Sequence, residues 1–250
     1  MNKLPKLLAL NKGVKRDFRA AMTDGRAEIF IYDMIGEDFW TGGGVTAMMF
    51  VEALSKFRGA ETIHLHINSP GGDVFEARAI TAAMLAFPGK FVAHIDGLAA
   101  SAASYIAARC DEVEIAPGAF IMIHNGWTIA AGDRHAMNEC AGLLEKIDAS
   151  ICADYVVKTG LEPAELSAMM DAETWLDADK AIEMKFADRL AEKTQAVGNT
   201  WNLSAYSQAP EIAPPAESEP PENTESETET VTPNAKDKRS RALRLAEISA

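Results

Sequence analysis

Between residues 27 and 123 the chain alternates short runs rich in β-branched and aromatic residues with helix-length stretches that carry one apolar face, and that alternation leaves few folds open. The strand-like runs are AEIFIY (27–32), TIHLHI (62–67), KFVAHI (90–95), EVEI (112–115) and FIMI (120–123). In TAMMFVEALSKF, the residues Ala47, Phe50, Val51, Leu54 and Phe57 fall on one helical face. A second helix is expected from Asp73, a good N-cap, to Phe87, where Pro88 and Gly89 stop it. Strands alternating with helices of this length predict an α/β fold with a mostly parallel sheet covered by helices. After the fifth strand the pattern turns helical. A long helix is expected from Asp133 to about Thr159, with Leu144, Ile147, Ile151 and Tyr155 on one stripe, followed by a shorter one over 162–170 with Pro163 in its first turn.

The charge pattern divides the rest. The net charge of −13 excludes nucleic acid as the main partner, because a polyphosphate needs a basic face. No run approaches the length of a membrane span, and the basic start MNKLPKLLALNKG has too short an apolar patch for a signal peptide, so a cytoplasmic protein is expected. Cys110, Cys140 and Cys152 show no CxxC spacing and read as small core residues, giving neither a disulfide framework nor a metal site. Residues 207–233 contain seven Glu and six Pro with no Lys or Arg, a composition that cannot repay the entropy of ordering. The expected organisation is therefore an N-terminal segment (1–17), one α/β domain (18–194), an acidic disordered linker (195–235) and a short basic helical tail (236–250).

Reactive groups in such a sheet collect where strands end and helices begin. Three junctions qualify. In HINSPGGDVFEA a strand runs through Ser69, Pro70, Gly71 and Gly72 into a helix, and paired glycines let a substrate approach bare N–H groups. In DGLAASAASYIAAR, Ser101 stands in the first turn of a helix expected over 100–109, with Ser104 one turn on. In FIMIHNGW, His124 follows a strand and is a candidate base for a serine nucleophile. His64, His66 and His94 sit inside strands, and His135 at a polar helix start; all four read as ordinary strand and surface residues.

INSPGGDVFEA, GLAASAAS and MIHN, in this order, resemble the proteolytic subunit of Clp protease. That resemblance covers about residues 26–190. It implies a ClpP/crotonase-type fold of repeated strand–strand–helix units with a protruding handle helix, and a serine endopeptidase that uses no cofactor. It also implies the site: Ser101 as nucleophile, His124 as base, the N–H groups of Gly72 and Ala102 as the oxyanion hole, Gly71 beside the substrate, and Ser104 as a packing residue. The third triad member is open between Glu173, favoured by its register before Trp175 and Leu176, and Asp171. AEIFIYDMIGEDFWTGGGVTAMMFVEAL and the acidic tail look more like the Clp-like proteases of phages and prophages, which implies processing of scaffold, portal or capsid proteins inside a prohead. The family further implies polypeptide substrates, a homo-oligomeric ring and, for housekeeping members, an AAA+ unfoldase partner. A crotonase-like acyl-CoA enzyme and an inactive scaffold on the same fold are the rivals; the aligned Ser101 and His124 count against the first.

Overall fold

The computed structural model describes residues 3–37, 43–192 and 201–210. The elements in chain order are α1 (Lys3–Leu10), β1 (Asp17–Thr23), β2 (Arg26–Tyr32), α2 (Ala47–Ser55), β3 (Thr62–Ser69), α3 (Val74–Ala86), β4 (Lys90–Ala100), α4 (Ala102–Ala108), β5 (Glu112–Ile115), β6 (Phe120–Ile123), α5 (Arg134–Thr159), α6 (Pro163–Asp171), β7 (Thr174–Leu176), α7 (Ala178–Glu183) and β8 (Arg189–Leu190). All five expected strands form, within a mixed α/β fold of the ClpP type. The helix ends follow the expected chemistry. Asp73 caps α3 by accepting from the N–H groups of Phe75 and Glu76, Asp133 caps α5, and Gly160 closes α5 in a left-handed conformation. On α2 the buried positions are Phe50, Ala53 and Leu54, whereas Val51, expected on the apolar face, is half exposed. Among the described residues no helix is long and apolar enough to cross a membrane.

The sheet runs β1-β2-β3-β4-β5-β8, and only the β1–β2 pair in this path is antiparallel. Period-2 alternation places Ile29, Ile31, Ile63, Leu65, Ile67, Ala93, Ile95 and Val113 in one buried cluster with Phe50, Leu54, Ile80 and Ile106 of the helices. Each such aliphatic side chain contributes on the order of 1.5–3 kcal/mol by leaving water.

β4 has a second use. Its first half pairs with β5 through Val92–Ile95, and its second half pairs with β6 through Leu98–Ala100. The sheet thus forks near Gly97, where a Cβ would sit 3.0 Å from the Asn68 Oδ1 atom. β7 then joins β6 antiparallel. Both β4 and β6 end at the site described below.

A smaller apolar cluster lies over this fork: Leu98, Ala100 and Met122 with Leu7 of α1 and with Trp201 and Leu203. This corrects the expected linker boundaries, because residues 201–210, assigned to a disordered 195–235 segment, pack against the domain. Trp201 is 5% exposed and donates its indole N–H to the Asn68 carbonyl at 3.0 Å. Asn11 donates to the carbonyls of Leu7 and Asn202 and accepts from the Asn202 N–H, tying the two chain segments together. A buried indole and an amide with paired donors and acceptors are enough to order a short segment whose downstream neighbours are acidic and proline-rich. The remaining parts of the 195–235 expectation, and the tail helix at 236–250, lie outside the described residues.

The sheet's other face holds a second correction. His64, His66 and His94 lie inside strands as expected, but they are not ordinary strand residues, because they form an inter-strand stack: the His66 and His94 rings lie 4.6 Å apart, and His66 stacks on Phe30 at 4.5 Å. His66 pairs with Asp96 at 2.8 Å, His94 with Glu114 at 2.9 Å, and Tyr32 donates to the same Asp96 oxygen at 2.6 Å. The parallel registers His66↔His94 and His94↔Glu114 make this ladder; it was invisible in each strand taken alone. Burial, followed by the neighbouring His66, pushes His94 down to about 4.

Candidate active site

Ser101 stands between β4 and α4, not inside the helix as its sequence context suggested. Its backbone sits at φ 54° and ψ −123°, a conformation rare for any residue but glycine and costing on the order of 1–3 kcal/mol. The Ser101 N–H donates to the Met122 carbonyl at 2.9 Å, so the fork holds the strained residue in place. α4 starts immediately after it, and the N–H of Ala102, in the helix's first turn, has no carbonyl to meet within its own helix.

His124 follows β6 directly. Its Nε2 lies 2.8 Å from Ser101 Oγ, and the ring is largely buried. Ser101 and His124 are brought to hydrogen-bond distance because β4 and β6 are parallel neighbours whose ends coincide.

The Gly71–Gly72 loop crosses above the serine. A Cβ on Gly71 would lie 2.7 Å from the Ser101 Cβ and 3.0 Å from the Ala102 nitrogen, so only glycine lets the loop approach this closely. Gly72 has φ 152° and bridges in parallel to Ile35, with the Gly71 carbonyl and the Asp73 N–H bonded to Ile35 on either side. The loop is therefore pinned to Ile35 while Gly71 packs against the serine.

The two candidate acids part company. Asp171 ends α6, is exposed, and accepts from the Asn125 side chain at 2.6 Å. Glu173 is 7% exposed and takes a left-handed φ of 52° just before β7. β6 and β7 pair as Ile121↔Leu176, Met122↔Trp175 and Ile123↔Thr174. Glu173 and His124 are the residues next to the last pair of this register, Ile123↔Thr174, and Glu173 lies in the turn that precedes β7. A backbone N–H, that of Gln208, donates to Glu173 Oε1 at 2.8 Å.

Ser104 is 1% exposed and bonds to the Ser101 carbonyl and to the Tyr155 hydroxyl, which ties α4 to α5. Its hydroxyl is buried between the two helices. A cavity of about 620 Å³ opens over Ser101 and His124, walled by Phe75, Trp127, Leu143, Leu144 and Ile147. Asp148 on α5 accepts from the Gly126 N–H at 2.6 Å and so fixes the loop that carries Trp127. Half of the expected α5 stripe, Leu144 and Ile147, thus lines this cavity, and Ile151 and Tyr155 enter the core.

Residues 15–194, well over half of the chain, match the Clp protease family. The chain belongs to that family. It is 28% identical over 142 residues to ATP-dependent Clp protease proteolytic subunit 2 of Mycolicibacterium paratuberculosis, an alignment covering 55% of this chain and 70% of that relative. Identity to proteolytic subunit 1 of Mycobacterium bovis is 27% over 144 residues, with 56% and 70% covered. For subunit 1 of Mycobacterium leprae it is 28% over 141 residues, with 54% and 69% covered. This Clp protease homologue is a serine-type peptidase. Two parts of it fall outside the family match: helix α1 and residues 201–210.

The second of these touches the site. Tyr206 donates its hydroxyl to the Pro70 carbonyl at 2.6 Å and sets its ring edge-on to His124 at 5.7 Å. Burial and the nearby Glu173 carboxylate push its phenol above the ordinary range, so it stays neutral. Tyr206 and Gln208 were missed from sequence. The available signal was WNLSAY, an aromatic and apolar cluster directly before the acidic tract.

Proposed function

We propose that Ser101, His124 and Glu173 form the catalytic triad of an endopeptidase acting on polypeptide chains. The observation that carries this reading is the 2.8 Å Ser101–His124 contact made by a serine held at positive φ. His124 takes the Ser101 proton as Oγ adds to the peptide carbonyl. The N–H groups of Gly72 and Ala102 receive the oxyanion, a contribution of about 3 kcal/mol for each such donor. His124 then returns the proton to the leaving amine, and water, activated by the same imidazole, releases the acyl group and restores Ser101. Glu173 orients the imidazole and stabilises its cation. Gly71, packed against Ser101 beside the cavity-lining Gly72, is assigned to the substrate side, and the apolar wall from Phe75 to Ile147 favours apolar side chains beside the scissile bond.

The finer assignment is to phage or prophage Clp-like proteases that process scaffold, portal or capsid proteins within a prohead. It rests on the β2–α2 sequence and the acidic tail. Assembly into a homo-oligomeric ring is supported by α5, whose buried residues all lie in its second half while Met137 and Leu143 of the first half are exposed. The relatives' names favour a second reading, a proteolytic subunit working with an ATP-dependent unfoldase.

A fluorophosphonate probe should label the wild type and Ser104→Ala but not Ser101→Ala. Equal labelling of the two variants rejects the assignment. Incubating the enzyme with capsid-assembly proteins, with and without an AAA+ unfoldase and ATP, separates the two biological roles.

A further inference from the structure

Residues 201–210 touch three separate parts of the site. Trp201 and Tyr206 hold the carbonyls of Asn68 and Pro70, at the start of the loop that carries Gly71 and Gly72. The Tyr206 ring abuts His124 and also packs edge-on to Trp175 at 5.7 Å. The Gln208 N–H holds one oxygen of Glu173. Two contacts near the start of the chain hold the same segment: the paired Asn11–Asn202 bonds, and Lys6 donating to the Ser204 carbonyl at 2.6 Å. Neither end of this clasp lies within the residues that match the family.

We propose that this segment is a strap that positions the catalytic groups, with Tyr206 setting the His124 imidazole against Ser101 and the Gln208 N–H fixing the carboxylate of Glu173. The inference rests on the triad reading above. Its physical basis is selective. A carboxylate with one oxygen held by a backbone donor has lost its freedom to rotate, and an imidazole flanked by a fixed aromatic edge cannot swing from the serine. Small displacements of such groups lower the rate of the chemical step far more than substrate binding. The cavity beyond Tyr206, toward Phe75 and Leu144, stays open, so the strap walls the site without filling it.

The test uses the full chain and a fluorogenic peptide, with kcat and KM measured separately and folding followed by thermal melting. Tyr206→Ala is expected to lower kcat by about tenfold or more with KM within about twofold. Tyr206→Phe keeps the ring on His124 and should retain kcat within about threefold. Gln208→Pro removes the N–H donor and should lower kcat in the same way, whereas Gln208→Ala keeps it and should match the wild type. A wild-type or higher kcat in Tyr206→Ala overturns the proposal, since the strap would then be inert or a cover; so does a rise in KM alone, which would make Tyr206 a substrate contact. If a variant melts markedly lower, the pair at position 208 decides: equal kcat in Gln208→Pro and Gln208→Ala overturns the strap. Ser101→Ala distinguishes the two levels. Residual wild-type hydrolysis there rejects the triad itself, while a dead Ser101→Ala beside a fully active Tyr206→Ala rejects only the strap.

Discussion

His124 and the His64–His66–His94 ladder stand at opposite extremes of what a buried imidazole does in one chain. The ladder histidines sit in regular strand register among stacked rings, two carboxylates and a tyrosine hydroxyl, and the buried Nε2 of His66 is left 3.8 Å from Glu28 with no hydrogen-bond partner. His124 leans on a serine whose backbone is strained and on a ring from a distant segment. The ladder follows regular strand geometry, whereas His124 has a strained neighbour, and such strain persists only where the fold over-determines it.

The comparison is broken most severely at the serine. Ser101→Ala should lower kcat/KM for a peptide by at least about 10⁴-fold with little change in melting temperature, since it removes the nucleophile. A loss below tenfold would make the strain at Ser101 merely structural. Next comes the acid. Glu173→Gln is expected to cost on the order of 10²–10⁴-fold in kcat, and Asp171→Asn less than about threefold, because Asp171 spends its oxygen on Asn125. The reverse order would move the triad acid to Asp171.

On the ladder side, the effect is on stability. His94 is neutral in the folded protein down to about pH 4, whereas in the unfolded chain it takes a proton below about 6.5. The unfolded state therefore binds more protons in that window, and stability present above pH 6.5 falls as the pH drops toward 4. Urea unfolding at a series of pH values should show this slope, and His94→Gln should flatten it while changing kcat by less than about threefold. An unchanged slope would remove His94 as its source. The smallest effect is at Ser104: replacing it with Ala leaves the Tyr155 hydroxyl short of a partner, for a loss of about 1 kcal/mol and retained probe labelling.

Much of this was legible along the chain, and the illegible parts have a common cause. The strands, the caps at Asp73 and Asp133, the Gly160 terminator and the serine–histidine candidates are written in windows of a few residues, where period and side-chain chemistry act locally. Ser104 and Ser101 were separable by motif. Three features were not legible. The strained turn at Ser101 looked like a helical first turn, since the Met122 carbonyl that accepts from its N–H lies on another strand, 21 residues on. The histidine ladder needed the register of three parallel strands. The strap was hidden because a window of acidic and proline-rich residues masks an anchoring cluster, WNLSAY, just upstream of it.

Local pattern thus settles the fold class and the order of elements and points to Ser101 and His124 as the proposed reacting pair, because each depends on residue type and spacing. The burial of Glu173 against the exposure of Asp171, the stacking of the strand histidines and the packing of residues 201–210 belong to tertiary structure alone. Those features turn on registers and contacts between segments up to 198 residues apart, as at Lys6 and Ser204, and no local propensity encodes a pairing at that distance.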